Sequence, residues 1–185
     1  YLLLSAPSCY EKLGTLAQQN PPIRDQRHLP VLWQSVTDGT VDVMGSDHAP
    51  HTLVEKNKPY PQSPSGVPGV QTMVPLMLNE IANGNLGLQK LVDLLCENPR
   101  EIFGCKNKGR IDIGMDADIT LVDLKSERRI ENDWIKSRCG WTPFAGKTVK
   151  GWPQAVFLKG QLAMHKDELV NDPSGPKGEL VEFDV

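Results

Sequence analysis

The chain has 185 residues, 39% of them hydrophobic and 23% charged, with a formal net charge of −3. This balance is typical of one globular domain with at most a small second one, and it argues against extensive disorder. The weak negative charge predicts no general affinity for nucleic acid or membranes, the apolar runs are too short to span a bilayer, and four scattered cysteines without a CxxC pair favour reduced thiols in the cytoplasm.

In the first half of the chain, predicted helices alternate with extended segments. A helical or irregular stretch is expected over 7–19, and Asn20-Pro21-Pro22 ends it because the residue before a proline favours extended backbone. An imperfect helical face over 25–36 stops at Asp38-Gly39-Thr40, and the apolar run 41–45 then predicts a buried strand. In the long connection over 52–69, we interpret Glu55, Lys56 and Lys58 as a solvated rim.

The second half predicts more helices and then short strands. Apolar spacing predicts helices over 70–81 and 88–96, and a third over 99–103 that is capped by Asn98. After Gly104, strands are expected over 109–111 and 119–122, and a strand, turn and strand over 155–161. This order predicts an α/β unit over 1–104 and a small β domain over 105–185, with Trp134, Trp141 and Trp152 as packing residues.

The heptapeptide GSDHAPH at 45–51 holds the strongest candidate for chemistry. Asp47 directly follows the predicted strand, and functional side chains of parallel α/β folds gather at such strand ends. A carboxylate there can bind a divalent metal and accept a proton as general base. His51 follows Pro50 and is expected to face a substrate rather than the same metal, whereas His48 is interpreted as structural. The alternative is a polar turn in which Asp47 only caps the loop.

Five segments in chain order resemble dihydroorotases, which are cyclic amidohydrolases. They are NPPIR at 20–24, GTVDVMGSDHAPHTLVEK at 39–56, SPSGVPGVQ at 63–71, NKGRIDIGMDADITLVDL at 107–124 and CGWTPFAGKTVKGWP at 139–153. The resemblance implies the C-terminal part of a (β/α)8 TIM barrel over 1–104, with strands seven and eight and their following helices. It also implies a small β-sandwich subdomain and tail over 105–185, in an enzyme that hydrolyses a cyclic amide with one or two zinc ions.

The same resemblance implies roles for individual residues. Asp47 matches the aspartate that binds metal and shuttles the proton, and His51 matches the histidine that contacts the substrate carboxylate. Asn20 matches an asparagine that hydrogen-bonds the pyrimidine ring, while Ser65 and Gly66 match positions whose backbone groups hold the substrate. Zinc suits this chemistry because it lowers the pKa of bound water toward about 7.

Several parts of the family pattern are not found in the sequence. The His-x-His pair, the carboxylated lysine and two further metal histidines are missing, and YLLLS at 1–5 resembles the run just after the sixth-strand histidine. A catalytic zinc usually takes three protein ligands. We therefore expect that Asp47 is the one ligand retained, that the other ligands lie upstream of Tyr1, and that the chain alone is inactive and needs the N-terminal half of the barrel as its partner.

The resemblance leaves three functions open. The first is dihydroorotase, the reversible ring closure of N-carbamoyl-aspartate in pyrimidine synthesis, with a small carboxylate-bearing substrate. The second is allantoinase or dihydropyrimidinase, because SPSGVPGVQ is also near their loop patterns. The third is a noncatalytic scaffold for a transcarbamoylase. A homo-oligomer or an aspartate transcarbamoylase complex is the expected assembly.

Overall fold

The computed structural model describes residues 1–170, 175 and 178–184. The chain divides into two compact units, each assembled from three segments. The first unit contains Tyr1–Thr40, Gly45–Leu76 and Arg129–Val149, and the second contains Val41–Met44, Met77–Arg128 and Lys150–Val185. These units do not follow a single cut in the chain, and the domain boundary expected after Gly104 stays a prediction.

The helices agree well with the sequence pattern. They are α1 (Ser8–Leu13), α2 (Leu29–Asp38), α3 (Leu53–Lys56), α4 (Val70–Ala82), α5 (Leu88–Val92) and α6 (Asn98–Phe103), with 3-10 turns at Gly14–Ala17, Gln26–His28 and Asn132–Trp134 and a π-helical turn at Asp93–Glu97. The predicted ends of two helices are confirmed, because Gly39 follows α2 and Gly104 follows α6 in left-handed conformations. Among the described residues, no helix has the length and apolarity needed to cross a membrane.

The predicted cap of α6 is wrong. Asn98 lies inside the helix, and its Nδ2 donates a hydrogen bond of 2.7 Å to the carbonyl oxygen of Asp42. Helical backbone continues from α5 through the π-helical turn into α6, so no free helix start is left for Asn98 to cap. Its amide instead holds the 41–44 segment.

The predicted buried strand over 41–45 is also wrong. These residues belong to no strand, and their side chains are half-buried or exposed. The Met44 N–H donates to the carbonyl oxygen of Leu94 at 3.2 Å, and a strand needs a continuous ladder rather than single bonds of this kind. No strand of the described residues lies beside the segment to provide that ladder.

The strands form one sheet in the order β1 (Ile119–Arg129), β2 (Thr148–Leu158), β3 (Gln161–His165) and β4 (Glu168–Leu169). The predicted strands at 119–122 and 155–161 are confirmed, with Lys159 and Gly160 at positive φ in a two-residue hairpin turn. The strand expected over 109–111 is wrong, since these residues form bends and irregular backbone. The described residues contain one sheet, so the second layer of the expected β-sandwich is not observed.

Each unit has its own apolar core. In the first unit the buried side chains are those of Ala17, Ile23, Val36, Val67, Leu76, Ile130, Ile135, Trp141 and Val149. In the second unit they are those of Met77, Leu78, Leu86, Leu91, Leu94, Trp152 and Ala155. Trp152 is further fixed by its indole N–H, which donates to Asp167 at 2.9 Å, and by the guanidinium of Arg128 over its ring.

Candidate active site

Asp47 lies in the 45–51 segment with a left-handed backbone conformation, at a φ of 46°. Aspartate tolerates this conformation better than most residues, and non-glycine residues held there are common at functional sites. The carboxylate is exposed, and its Oδ2 lies 3.4 Å from the hydroxyl of Tyr1. The position therefore presents the carboxylate to solvent instead of using it as a buried cap.

Tyr1 links Asp47 to the turn that contains Asn20. Its hydroxyl donates to the carbonyl oxygen of Pro21 at 3.0 Å, next to the Asp47 contact. Burial and the negative charge of Asp47 both raise the pKa of the Tyr1 phenol. Asn20 is exposed and precedes a cis peptide bond to Pro21. Two of the predicted site residues, Asp47 and Asn20, thus lie near one tyrosine.

His48 has the structural position expected for it. Its Nδ1 accepts hydrogen bonds from the N–H groups of Gly69 at 3.1 Å and Val70 at 3.3 Å, at the start of α4. An accepting Nδ1 requires the neutral ring with its proton on Nε2. His48 also pairs with Val67 in a parallel bridge, and the Ala49 N–H donates to the Val67 carbonyl at 3.0 Å. These bonds attach the 63–69 loop to the 45–51 segment.

His51 contacts the same loop from the other side. Its Nε2 lies 3.2 Å from the carbonyl oxygen of Ser65, so this nitrogen carries a proton and donates it. The carbonyl oxygen of His51 accepts the indole N–H of Trp141 at 2.8 Å. The ring and the backbone of His51 are therefore both held, which leaves Nδ1 as the ring nitrogen available to a substrate.

Gly66 requires the absence of a side chain. Its φ is 137°, and an added Cβ would lie 2.5 Å from the carbonyl oxygen of Ala49. The Gly66 N–H donates to the carbonyl oxygen of Gln18 at 3.0 Å, while Ser65 uses its carbonyl for His51. The Ser65 N–H and the Gly66 carbonyl take no part in these bonds and are the backbone groups that can meet a substrate.

The solvated rim predicted for Lys56 is wrong. Lys56 is fully buried, and its ammonium donates to the carbonyl oxygens of Gln18 at 3.0 Å and Pro64 at 2.8 Å. Burial lowers the pKa of this lysine. The spacing Thr52-x-x-Glu55 is the signal that was missed, because it predicts a capped helical turn directly before Lys56. Trp141, expected only to pack, also supports the site through His51.

The described residues do not form a zinc site by themselves. Among residues 1–170, 175 and 178–184, no group of three or more His, Cys, Asp or Glu side chains is placed to hold a metal ion. Asp116 and Asp118 are both paired with Lys108. Asp47 is one candidate ligand, whereas a protein zinc site takes three or four. No catalytic step can be assigned to a metal on these residues alone.

Comparison with known proteins identifies the family. The model of the Amidohydrolase family matches residues 19–163, which is most of the chain. The chain belongs to the amidohydrolase family. The resemblance of its motifs to this family is therefore confirmed.

This amidohydrolase resembles curated dihydroorotases over most of its length. It is 41% identical to the dihydroorotase of Halobacterium salinarum over 157 residues. This alignment covers 85% of the chain and 37% of that protein. It is 38% identical to the dihydroorotase of Pyrococcus furiosus over 170 residues. This alignment covers 92% of the chain and 39% of that protein. The chain thus spans less than half the length of the relatives that it matches.

Solved structures give the same family and fold. The L-hydantoinase (dihydropyrimidinase) of Arthrobacter aurescens matches with a TM-score of 0.88 and 29% identity, over 91% of the amidohydrolase chain and 39% of the neighbour. The dihydropyrimidinase of Brevibacillus agri matches with a TM-score of 0.85 and 25% identity, over 91% and 38%. The α/β class predicted from the sequence is confirmed at this level.

Proposed function

We propose that the complete protein is a dihydroorotase, and that this chain provides one side of its active site. The observation that carries the proposal is a set of hydrogen bonds between the segments that bear the five candidate residues. Tyr1 contacts Asp47 and the carbonyl oxygen of Pro21, which directly follows Asn20, while Gln18 and His51 hold Ser65 and Gly66. The 34–41% identity to several dihydroorotases supports the substrate class.

In this proposal Asp47 moves the proton of the reaction. Its carboxylate accepts a proton from the attacking water, whose oxygen bonds to the ring carbonyl carbon of dihydroorotate. The carbon–nitrogen bond then breaks, and Asp47 returns the proton to the leaving nitrogen. The product is N-carbamoyl-aspartate, and the reverse steps close the ring.

The other residues bind and orient the substrate. His51 would contact the substrate carboxylate through Nδ1. Because Nε2 donates to Ser65, this contact requires the imidazolium form with a proton on both ring nitrogens. Asn20 would hydrogen-bond the pyrimidine ring, and the Ser65 N–H and Gly66 carbonyl would hold its amide groups. The contact of His51 with Ser65 places a histidine, rather than an apolar side chain, beside the 63–69 loop. A histidine can donate a hydrogen bond to a carboxylate, so a substrate with a carboxylate is favoured.

We further propose that the complete site contains one or two zinc ions. Asp47 would be one ligand, and the others would come from the part of the relatives' length that this chain does not span. Residues 1–104 would then supply strands seven and eight of a (β/α)8 barrel, and the 41–44 segment would become the eighth strand once a neighbour pairs with it. A cytoplasmic location and assembly as a homo-oligomer or with aspartate transcarbamoylase remain predictions.

A second candidate is a dihydropyrimidinase or hydantoinase, supported by the solved structures that bear those names. Allantoinase is part of the same alternative, because SPSGVPGVQ at 63–71 is also near the loop pattern of allantoinases. Assays of the complete protein with dihydroorotate, dihydrouracil, hydantoin and allantoin separate these activities. Dihydroorotate turned over with the highest kcat/KM is the result expected. Preference for a substrate without a carboxylate would favour the alternative.

Asp47→Asn in the complete protein tests the catalytic role. The substitution keeps the size of the side chain but removes the proton acceptor, so kcat should fall by about 10²-fold or more. Asp42→Asn, which alters another exposed carboxylate of the same region, is the control and should keep full activity. If Asp47→Asn retains normal turnover, the catalytic assignment is wrong and a noncatalytic scaffold becomes the better description.

A further inference from the structure

Lys56 is a buried lysine that pairs with no carboxylate in the part of the chain that the structure describes. It is fully buried, and within the described residues it forms no ion pair. Its ammonium instead donates to the carbonyl oxygens of Gln18 and Pro64. Burying a charge without an opposite charge costs free energy, and irregular backbone seldom needs a lysine to satisfy it. The position therefore needs a physical explanation.

The two carbonyls belong to different segments that bear candidate site residues. Gln18 precedes Asn20 by two residues, and Pro64 directly precedes Ser65. The carbonyl oxygen of Gln18 also accepts a hydrogen bond from the Gly66 N–H. The side-chain Nε2 of Gln18 donates to the carbonyl oxygen of Ser63 at 2.8 Å. Ser63 in turn donates its hydroxyl hydrogen to the Lys56 carbonyl at 3.0 Å. Lys56, Gln18 and Ser63 thus form a closed ring of hydrogen bonds, which we call the lysine clasp.

The helical turn α3 connects the lysine clasp to His51. Thr52 caps α3, and the Glu55 side chain accepts from the Thr52 N–H at 2.8 Å in a complete capping box. His51 directly precedes this turn, and Lys56 is its last residue. One end of the turn therefore contacts the loop through the Ser65 carbonyl, and the other contacts it through the Pro64 carbonyl.

We propose that Lys56 is a positioning residue that fixes the 63–69 loop at the distance from Asn20 and His51 that the substrate requires. The inference rests on the proposed function, since it concerns the binding of the same substrate. Lysine suits the position because one ammonium satisfies two carbonyls from separate segments, whereas an apolar residue leaves both without a donor. Lys56 acts on the substrate only through the backbone of Ser65 and Gly66.

The test uses the complete enzyme and its kinetics with dihydroorotate. Lys56→Met keeps an unbranched side chain, one heavy atom shorter, and removes the donors, so the loop should shift and KM should rise about tenfold or more, as for one substrate hydrogen bond lost. The value of kcat should change less, because the proton transfer by Asp47 does not involve the loop. Lys58→Met, an exposed lysine two residues away, is the matched control and should leave both constants unchanged.

The split between KM and kcat separates positioning from mere structural support. A variant that only loses folded protein shows a lower maximal rate with an unchanged KM, and that result for Lys56→Met would overturn the proposal. If Lys56→Met does not yield folded protein, Ser63→Ala decides. It removes one bond of the lysine clasp and keeps the ammonium, so KM should rise in the same direction by a smaller factor, and an unchanged KM would overturn the proposal.

The two proposals fail in different ways. A complete wild-type protein that turns over neither dihydroorotate nor N-carbamoyl-aspartate refutes the proposed function before any variant is compared. Activity in the wild-type protein, together with an unchanged KM in Lys56→Met, refutes the role of Lys56 and leaves the function in place.

Discussion

Glycine at position 66 shows how one residue type sets the geometry of the site. With a φ of 137°, the backbone passes so near Ala49 that a methyl group would lie 2.5 Å from its carbonyl oxygen and 2.9 Å from its Cβ. The same peptide donates its N–H to Gln18. Close approach and hydrogen bonding are therefore coupled, and the loop can relieve a clash only by moving away from both neighbours.

Gly66→Ala should accordingly weaken both stability and substrate binding. The strained backbone and the overlap together should cost about 1–3 kcal/mol, and KM should rise because the 63–69 loop moves away from Ala49. Thermal unfolding and steady-state kinetics of the complete protein measure the two effects. Gly45→Ala, where the added methyl meets open space, serves as the control. Equal stability of Gly66→Ala and Gly45→Ala would show that the close approach at Gly66 is unimportant.

The two histidines of the 45–51 segment illustrate what residue identity leaves undecided. Both lie near Asp47 in sequence, yet His48 accepts bonds from the start of α4 while His51 donates to Ser65. Pro50 lies between them in the sequence, and the expected contact of His51 with a substrate stays a prediction. The specific partners depend on where the 63–69 loop folds back, which local sequence does not determine.

Among the secondary-structure elements, α3 is the shortest helix and depends most on its cap. A single turn has too few internal hydrogen bonds to persist alone, so the capping box of Thr52 and Glu55 contributes much of its stability. Hydrogen bonds from Thr52 hold the pKa of Glu55 below its ordinary value. This contribution is present above the ordinary glutamate pKa and is lost as the pH falls through the lowered one.

Thr52→Ala should therefore loosen α3. The cap is worth about 0.5–2 kcal/mol, so the N–H groups of Lys56 and Asn57, which bond back to Thr52 and Leu53, should exchange with deuterium several-fold faster. Hydrogen exchange followed by mass spectrometry on the complete protein measures this. Ser35→Ala, at a half-buried position of α2, should not alter that peptide. The pKa of Glu55 should also rise toward its ordinary value in Thr52→Ala, and an unchanged exchange rate would contradict the role of the cap.

Helices were easier to predict than strands for a physical reason. The hydrogen bonds of a helix are local, so the apolar spacing over 70–81 and the glycine at 39 were enough to predict α4 and the end of α2. A strand depends on its neighbour, and the apolar residues at 41–45 lack one among the described residues. The prediction for 155–161 is correct because each strand of a hairpin finds its partner strand across the two-residue turn.

For the molecule as a whole, the chain contains one side of a proposed metal site. Asp47 lacks two further ligands among the described residues, and burial raises the pKa of the Cys9 thiol, which keeps it protonated at neutral pH. Residues 1–185 alone should therefore bind zinc weakly and show no turnover. Zinc titration by calorimetry measures the affinity, with the complete protein and its Asp47→Asn variant for comparison. Tight stoichiometric binding by the chain alone would contradict this prediction.

The sequence by itself determined the family and the helices and supplied the candidate site residues as predictions, because motifs such as GSDHAPH and local apolar spacing are properties of short segments. Only the tertiary structure decided that Lys56 is buried, that Trp141 holds the backbone of His51, and that Gly66 lies against Ala49. These contacts join residues that are 8 to 90 positions apart in the sequence. They form only where a loop folds back on another segment. Burial and hydrogen-bond partners of that kind arise from packing between distant segments, which no local pattern specifies.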